Sequence, residues 1–235
     1  MIFLDVETTG LKPDKHSIIG IGALNFEAPA NRFNVEFCRP FEGAEVSPKA
    51  LEVNGADPAW FNEPSSGPTV EEAVRRFVDW ADEQFKIPMQ TKSGPVIDRL
   101  LGGENVASFD LKFIEATMER YGIAWKHKYQ AVDLFTVFYT ESRRTGEFPA
   151  RVVTGGELNA HTDEILRFVG LPAEPKPHKA LIGAMGEAEA YSRLAFGKNL
   201  LPEYTQYPIP NSVVEGIGTL RRVDAEVHRS RNTHF

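Results

Sequence analysis

Met1-Ile2-Phe3-Leu4-Asp5-Val6-Glu7-Thr8-Thr9-Gly10-Leu11 opens the chain, and the reading of this stretch decides the fold. Residues 1–6 are short and apolar, the texture of a buried strand, and they run into an acidic, turn-prone string from Asp5 to Gly10. Asp5 and Glu7 stand two apart, so on an extended backbone both carboxylates point to one face. Side by side they repel and resist joint ionisation unless a cation neutralises them. Hard oxygen ligands suit Mg²⁺ or Mn²⁺. The other reading is a pair of solvated charges at a strand end.

Working outward, residues 17–26 are β-branched and rich in small side chains, and residues 32–41 partly alternate. Three short strands in a row predict a meander or hairpins. Residues 48–53 suit one or two helical turns, stopped at Asn54-Gly55. Residues 69–85 are the strongest helix: Thr69 caps it, and Glu71 and Glu72 sit in its first turn. Val70, Ala73, Val74, Phe77, Val78 and Ala81 form its apolar stripe. Residues 87–93 read as an irregular insertion and 100–107 as a short strand. Further helices are expected over 109–121, 133–139 (with Asp133 as cap), 158–168 and 179–196. Strands first, then helices alternating with a strand, predict an α/β chain with a mixed sheet covered by helices. Residues 201–235, broken by Pro202, Pro208 and Pro210 and ending among Arg221, Arg222, Arg229 and Arg231, read as an appendage.

The composition fits such a domain. The 235 residues are 42% hydrophobic and 25% charged, which argues against disorder. A single cysteine, Cys38, excludes an intramolecular disulfide and favours a reducing, cytoplasmic setting. The start has no basic region, which argues against a secretory leader. No apolar run approaches the ~20 residues that span a bilayer, so no membrane partner is expected. A net charge of −7 disfavours phosphate-driven binding to long duplexes, although bound cations can supply positive charge locally.

The string Asp5-Val6-Glu7-Thr8-Thr9-Gly10-Leu11 resembles the first motif of the DEDD 3′-5′ exonucleases, a family of RNase H-like fold. The resemblance continues in order. Residues 46–55 look like the segment after the third strand, Asn105-Val106-Ala107-Ser108-Phe109-Asp110 like the second motif, and His178-Lys179-Ala180-Leu181 like the third motif of the branch that uses histidine. It spans roughly residues 1–200, with 201–235 as an extension. It implies a mixed five-stranded sheet flanked by helices and two Mg²⁺ ions, with Mn²⁺ able to substitute. Asp5 would bridge both ions, Glu7 would ligate one and Asp110 the other, and His178 would take a proton from the attacking water. Thr8, Thr9, Gly10, Leu11, Asn105 and Phe109 would meet the substrate. In that set the backbone at Thr8 and Thr9 would face the terminal 3′-hydroxyl, Leu11 would wedge against the last bases, and Phe109 would pack rather than stack.

One position departs from the pattern. The family places an aspartate five residues after the histidine, and here that residue is Gly183. Glu187 lies one helical turn further on, on the same face. It is the candidate substitute, although capping or solvation of the helix is the reading preferred for it. The expectation is an impaired site that Gly183→Asp would repair. His127, His161, Asp133, Asp163, Glu164, Arg143 and Arg144 read as local structure or solvated charge.

The leading function implied is hydrolysis of single-stranded DNA or RNA from the 3′ end. Two alternatives stand beside it. One is a catalytically weak nuclease fold that binds nucleic-acid ends, which Gly183 would favour. The other is an interaction subunit that uses 201–235 to form a homodimer or to dock on a polymerase-type partner.

Overall fold

A computed structural model of the chain describes residues 1–125, 130–146, 153–154, 157–158 and 160–214. The readings placed on His127 and on the tail arginines fall outside the described residues. The chain divides into two units. The first holds Met1–Leu134 and Glu174–Ala188, the second Phe135–Ala173 and Glu189–Phe235.

The first unit is built on a mixed sheet. Strands β1 (Ile2–Thr8), β2 (Ile18–Asn25) and β3 (Ala28–Val35) form an antiparallel meander. A hairpin, β4 (Met89–Thr91) with β5 (Gly94–Val96), stands apart. Strands β6 (Leu101–Gly103) and β7 (Ala131–Asp133) then add parallel to β1, giving the order β3-β2-β1-β6-β7. The expected five-stranded mixed sheet is therefore present. β1 is central, so Ile2, Phe3 and Leu4 are fully buried.

Helices α1 (Pro48–Asn54), α2 (Val70–Gln84) and α3 (Asp110–Tyr121) also belong to this unit. In α2 the Thr69 hydroxyl accepts from the Glu72 backbone, and the Glu72 carboxylate accepts from the Thr69 backbone. That reciprocal cap removes two orphan donors of the first turn. The stripe read from Val70 to Ala81 is buried, and it joins Ile2, Leu4 and Ile21 in one core.

Several expectations need correction. Strand β1 runs on to Thr8, so Asp5, expected at the strand's end, lies in its middle and Glu7 is also within it. Strand β3 begins at Ala28 because Asn25 Oδ1 accepts from the Glu27 backbone at 2.8 Å and closes a tight turn. Pro29 is tolerated there because β3 is an edge strand. Residues 87–93 are partly the β4–β5 hairpin and not irregular. Strand β6 stops at Gly103, two residues before Asn105 turns left-handed at φ 52°. Asp133 ends β7 and stands immediately before α4 (Leu134–Thr145), at the N-cap position expected for it.

The second unit includes most of α4, the short pairing β8 (Val153–Thr154) with β9 (Glu157–Leu158), α5 (Thr162–Phe168) and the end of α6 (Ala180–Phe196). Its anchor is a buried ion pair. Arg193 donates to Glu189 at 2.8 Å, and its other nitrogens donate to the carbonyls of Val169, Tyr204 and Tyr207. Glu189 in turn accepts from the backbones of Leu200 and Leu201. A buried pair is tolerable only when its remaining donors and acceptors are met, and here the partners are backbone groups of residues 169–207. The part of the expected extension from 201 to 207 is held by this pair, and residues 215–235 lie outside the described residues.

Candidate active site

The middle of β1 carries the site. Asp5 and Glu7 are half-buried and share one face, while their neighbours Leu4, Val6 and Thr8 are buried on the other. Asp110 opens α3, where a carboxylate is favoured by the helix dipole. Its Oδ1 accepts from the Val6 backbone at 2.9 Å, which brings it against the residue between Asp5 and Glu7. The turn ahead of α3 is shaped by Asn105, whose carbonyl accepts from Ser108 and Phe109.

His178 arrives from the segment before α6. Its backbone donates to the Val53 carbonyl at 3.0 Å, tying that segment to α1. Gly55 ends α1 in a left-handed conformation, and a Cβ there would fall 2.7 Å from Pro177. A glycine is needed on both counts. Asn54 donates to the Thr8 carbonyl at 3.0 Å and holds α1 on the end of β1. The ring nitrogen Nδ1 of His178 lies 3.5 Å from Glu174. Glu7, Glu174 and His178 each offer an atom within 4.8 Å of the others.

Glu187, on α6, is buried at 5% exposure and is not solvated as expected. Its Oε2 has no hydrogen-bond partner among the described residues.

The electrostatics follow from crowding acids under partial burial. Burial, joined by the charge of Glu104, raises the Asp5 carboxyl to about 7. Burial, then the charges of Asp5 and Glu174, raise Glu7 to about 8, and Lys179 opposes the shift. Asp110 is raised by burial and by Asp5, and Glu187 by burial and then by Asp5 and Asp110. Carboxyls held this high want either a proton or a cation. The donor set fits a hard divalent ion: it is rich in carboxylate oxygens, and one of them is buried without a donor.

Folding takes up protons at these acids, whose ordinary values are 3.8 for Asp5 and 4.5 for Glu7. Their contribution to stability is complete below the ordinary values and is lost as pH rises through about 7 to 8. Melting in EDTA is therefore expected to move to lower temperature between about pH 5 and pH 8.5. Mn²⁺ should restore it more at the high end, where it replaces protons already gone. A midpoint that holds or rises across that range in EDTA would contradict the burial of these acids.

The loop after β1 is tied down by hydrogen bonds. The Thr9 hydroxyl donates to Glu45 and accepts from Ser17, and the Thr8 hydroxyl donates to Gly10. A Cβ at Gly10 would fall 2.1 Å from the His16 ring, so a side chain there would displace that ring. Thr8 and Thr9 are buried and their backbones are engaged too: Thr9 donates to Ser17 and accepts from Ser47, and the Thr8 carbonyl accepts from Asn54. Leu11 is 79% exposed at the tip. Asn105 is exposed and bonded to Glu104, and Phe109 packs against Phe113 at 5.0 Å.

A cleft of about 570 Å³ opens beside Glu7 and His178 and is lined also by Asn54, Trp60, Arg76 and Lys179. Sequence reasoning missed Glu174. It lies in the irregular stretch Glu174-Pro175-Lys176-Pro177, where neither strand nor helix spacing assigns a facing.

Converging carboxylates on a mixed sheet, with a histidine beside them, define a class of hydrolase folds that hold cations between acids. The exonuclease family model RNase_T matches residues 2–185, and the chain belongs to that family, the DEDD 3′-5′ exonucleases. It is 26% identical over 196 residues to ribonuclease T of Histophilus somni, covering 81% of this chain and 80% of that one. It is 30% identical over 129 residues to ribonuclease T of Vibrio vulnificus, covering 51% and 54%. The chain spans about half the length of most of the curated relatives it matches, 53% for that of Actinobacillus pleuropneumoniae. Among solved structures it resembles Escherichia coli exonuclease I bound to an oligonucleotide, with a TM-score of 0.59 at 16% identity, over 83% of this chain and 41% of that one. It also resembles cell-death related nuclease 4, with a TM-score of 0.57 at 15% identity, over 84% and 64%. These likenesses support the fold.

Proposed function

We propose that this chain is a metal-dependent 3′-5′ exonuclease that hydrolyses phosphodiester bonds at single-stranded nucleic-acid ends. The observation that carries the reading is the grouping of Glu7, Glu174 and His178 within 4.8 Å beside an open cleft, with Asp5 on the same face of β1 as Glu7 and Asp110 bonded to the intervening Val6. Two Mg²⁺ ions, or Mn²⁺ in their place, would supply a hydroxide at neutral pH and positive charge at the leaving 3′-oxygen. Asp5, Glu7 and Asp110 are the residues to hold them. Burial and mutual repulsion hold their carboxyls above the ordinary range, and a cation would relieve both.

His178 takes the proton of the attacking water. The carboxylate of Glu174 faces Nδ1, which favours the proton there and leaves Nε2 as the acceptor. The strand would enter along the cleft, where Trp60 and Phe37 offer aromatic surface and Arg76 offers positive charge to phosphates, while Lys179 is paired with Glu36 at 2.6 Å. The exposed Leu11 would meet the 3′ end beside the Thr8–Gly10 loop, and the Asn105 turn and Phe109 precede Asp110 at the start of α3. Among proteins of similar structure, exonuclease I is seen in complex with single-stranded DNA and a 3′-exonuclease recognises a histone mRNA stem-loop, so DNA and RNA ends are both taken as substrates in this reading. A cytoplasmic setting is part of this reading.

A second reading, a weak nuclease that binds ends, rests on Gly183. It turns on which side chain stands where an aspartate would. Docking through 201–235, as a homodimer or on a polymerase-type partner, remains an expectation.

The test uses single-stranded DNA and RNA oligonucleotides of one sequence, labelled at the 5′ end and incubated with Mn²⁺ or EDTA. A ladder that shortens from the 3′ end with Mn²⁺ alone is expected. Intact label on both nucleic acids would rule the reading out, and retention without cleavage in a filter assay would favour end binding.

A further inference from the structure

The room beside Gly183 is already taken. A Cβ at 183 would fall 2.0 Å from Asp5 Oδ2 and 3.4 Å from Glu174 Oε1. The Asp5 carboxylate therefore sits in the notch that glycine leaves, and any side chain at 183 would drive it out.

One turn further along α6, Glu187 faces the same acids. Side chains on a helix lean toward its N-terminus, so a long side chain at 187 reaches back toward the level of 183. The structure bears this out. Glu187 is 5% exposed; the charges of Asp5, Asp110 and Glu104 press on it, and the Glu104 backbone N–H partly offsets them. Its Oε2 would lie 3.1 Å from a Cβ on Gly103, at the end of β6 beside β1. Gly103 thus leaves it space among the strands. A buried carboxylate oxygen with no donor among the described residues, set against two more carboxylates, is costly unless something positive lies between them.

We propose that Glu187 supplies the fourth carboxylate of the cation site, one helical turn beyond the usual position, and that Gly183 is required to seat Asp5. The inference rests on the metal-dependent reading above. It reverses the expectation drawn from the sequence, because Gly183 then belongs to a working site and Gly183→Asp damages it.

The test measures Mn²⁺ binding by calorimetry and melting in EDTA on the full chain, alongside the oligonucleotide assay. Glu187→Gln is expected to weaken Mn²⁺ binding at least about tenfold, the lower bound for disturbing groups around a metal. Melting in EDTA checks that each variant folds. Glu187→Asp keeps the charge but loses reach, and it should weaken Mn²⁺ binding even if the glutamine variant does not fold. Gly183→Asp should bind Mn²⁺ more weakly and cleave more slowly than the natural chain. Unchanged Mn²⁺ affinity in the Glu187 variants, or a gain of affinity or rate in Gly183→Asp, would overturn the proposal while leaving the nuclease reading in place. Failure of the natural chain to bind Mn²⁺ would overturn both.

Discussion

Asp5→Asn is expected to abolish Mn²⁺ binding and to slow cleavage by at least about 10³-fold, the scale of several kcal/mol of lost charge stabilisation. Asp5 is the hub of the cluster: its charge acts on Glu7, Asp110 and Glu187, and its Oδ2 fills the notch at Gly183. Asparagine keeps the shape and removes the charge, so the strand and its packing should survive. The variant should therefore melt higher than the natural chain in EDTA near pH 8, where the carboxyl, raised to about 7, is largely ionised and repelling its neighbours. A loss of cleavage accompanied by that gain in metal-free stability is the signature of a cation site. Calorimetry that finds Mn²⁺ affinity unchanged would remove Asp5 from the site, and with it the assignment of Asp110, which is placed by the neighbouring Val6.

His178→Asn should lower the cleavage rate by about 10² to 10⁴-fold, the range for a positioned general base. Mn²⁺ affinity should change far less. The side chain borders the cleft with Glu7 and is partly open to it, at 30% exposure, so it can reach a water there. Glu174 at Nδ1 fixes which nitrogen accepts. The acidic limb of the pH–rate profile should flatten in the variant, since the group that must be neutral to accept a proton is gone. If His178→Asn instead removes Mn²⁺ binding as fully as Asp5→Asn, then His178 is a ligand, as its spacing from Glu7 and Glu174 permits, and proton transfer belongs elsewhere.

Much of this site was legible in the chain because its cues are local. The two-residue period of a strand puts Asp5 and Glu7 on one face wherever that strand lies. The cap and stripe of residues 69–85 depend on neighbours three and four apart, and both stand as read, with Thr69 and Glu72 bonded to each other. The order of acidic motifs placed Asp110 at a helix start, where it is found.

Tertiary structure decided what no local period encodes. Asp110 meets the strand through a bond between residues 104 apart. Glu174 lies in a proline-rich stretch whose facing follows from its anchoring at Val53 and Gly55, far away in the chain. Glu187 reads as a solvated helical acid until α6 is set against the sheet, and only then is it buried against Asp5 and Asp110. Gly183 is the sharpest case. In the sequence it is a missing ligand, because a motif records which side chain stands at a position. In the fold it is a space, filled by the carboxylate of Asp5, because packing depends on which atoms approach a position from elsewhere in the chain.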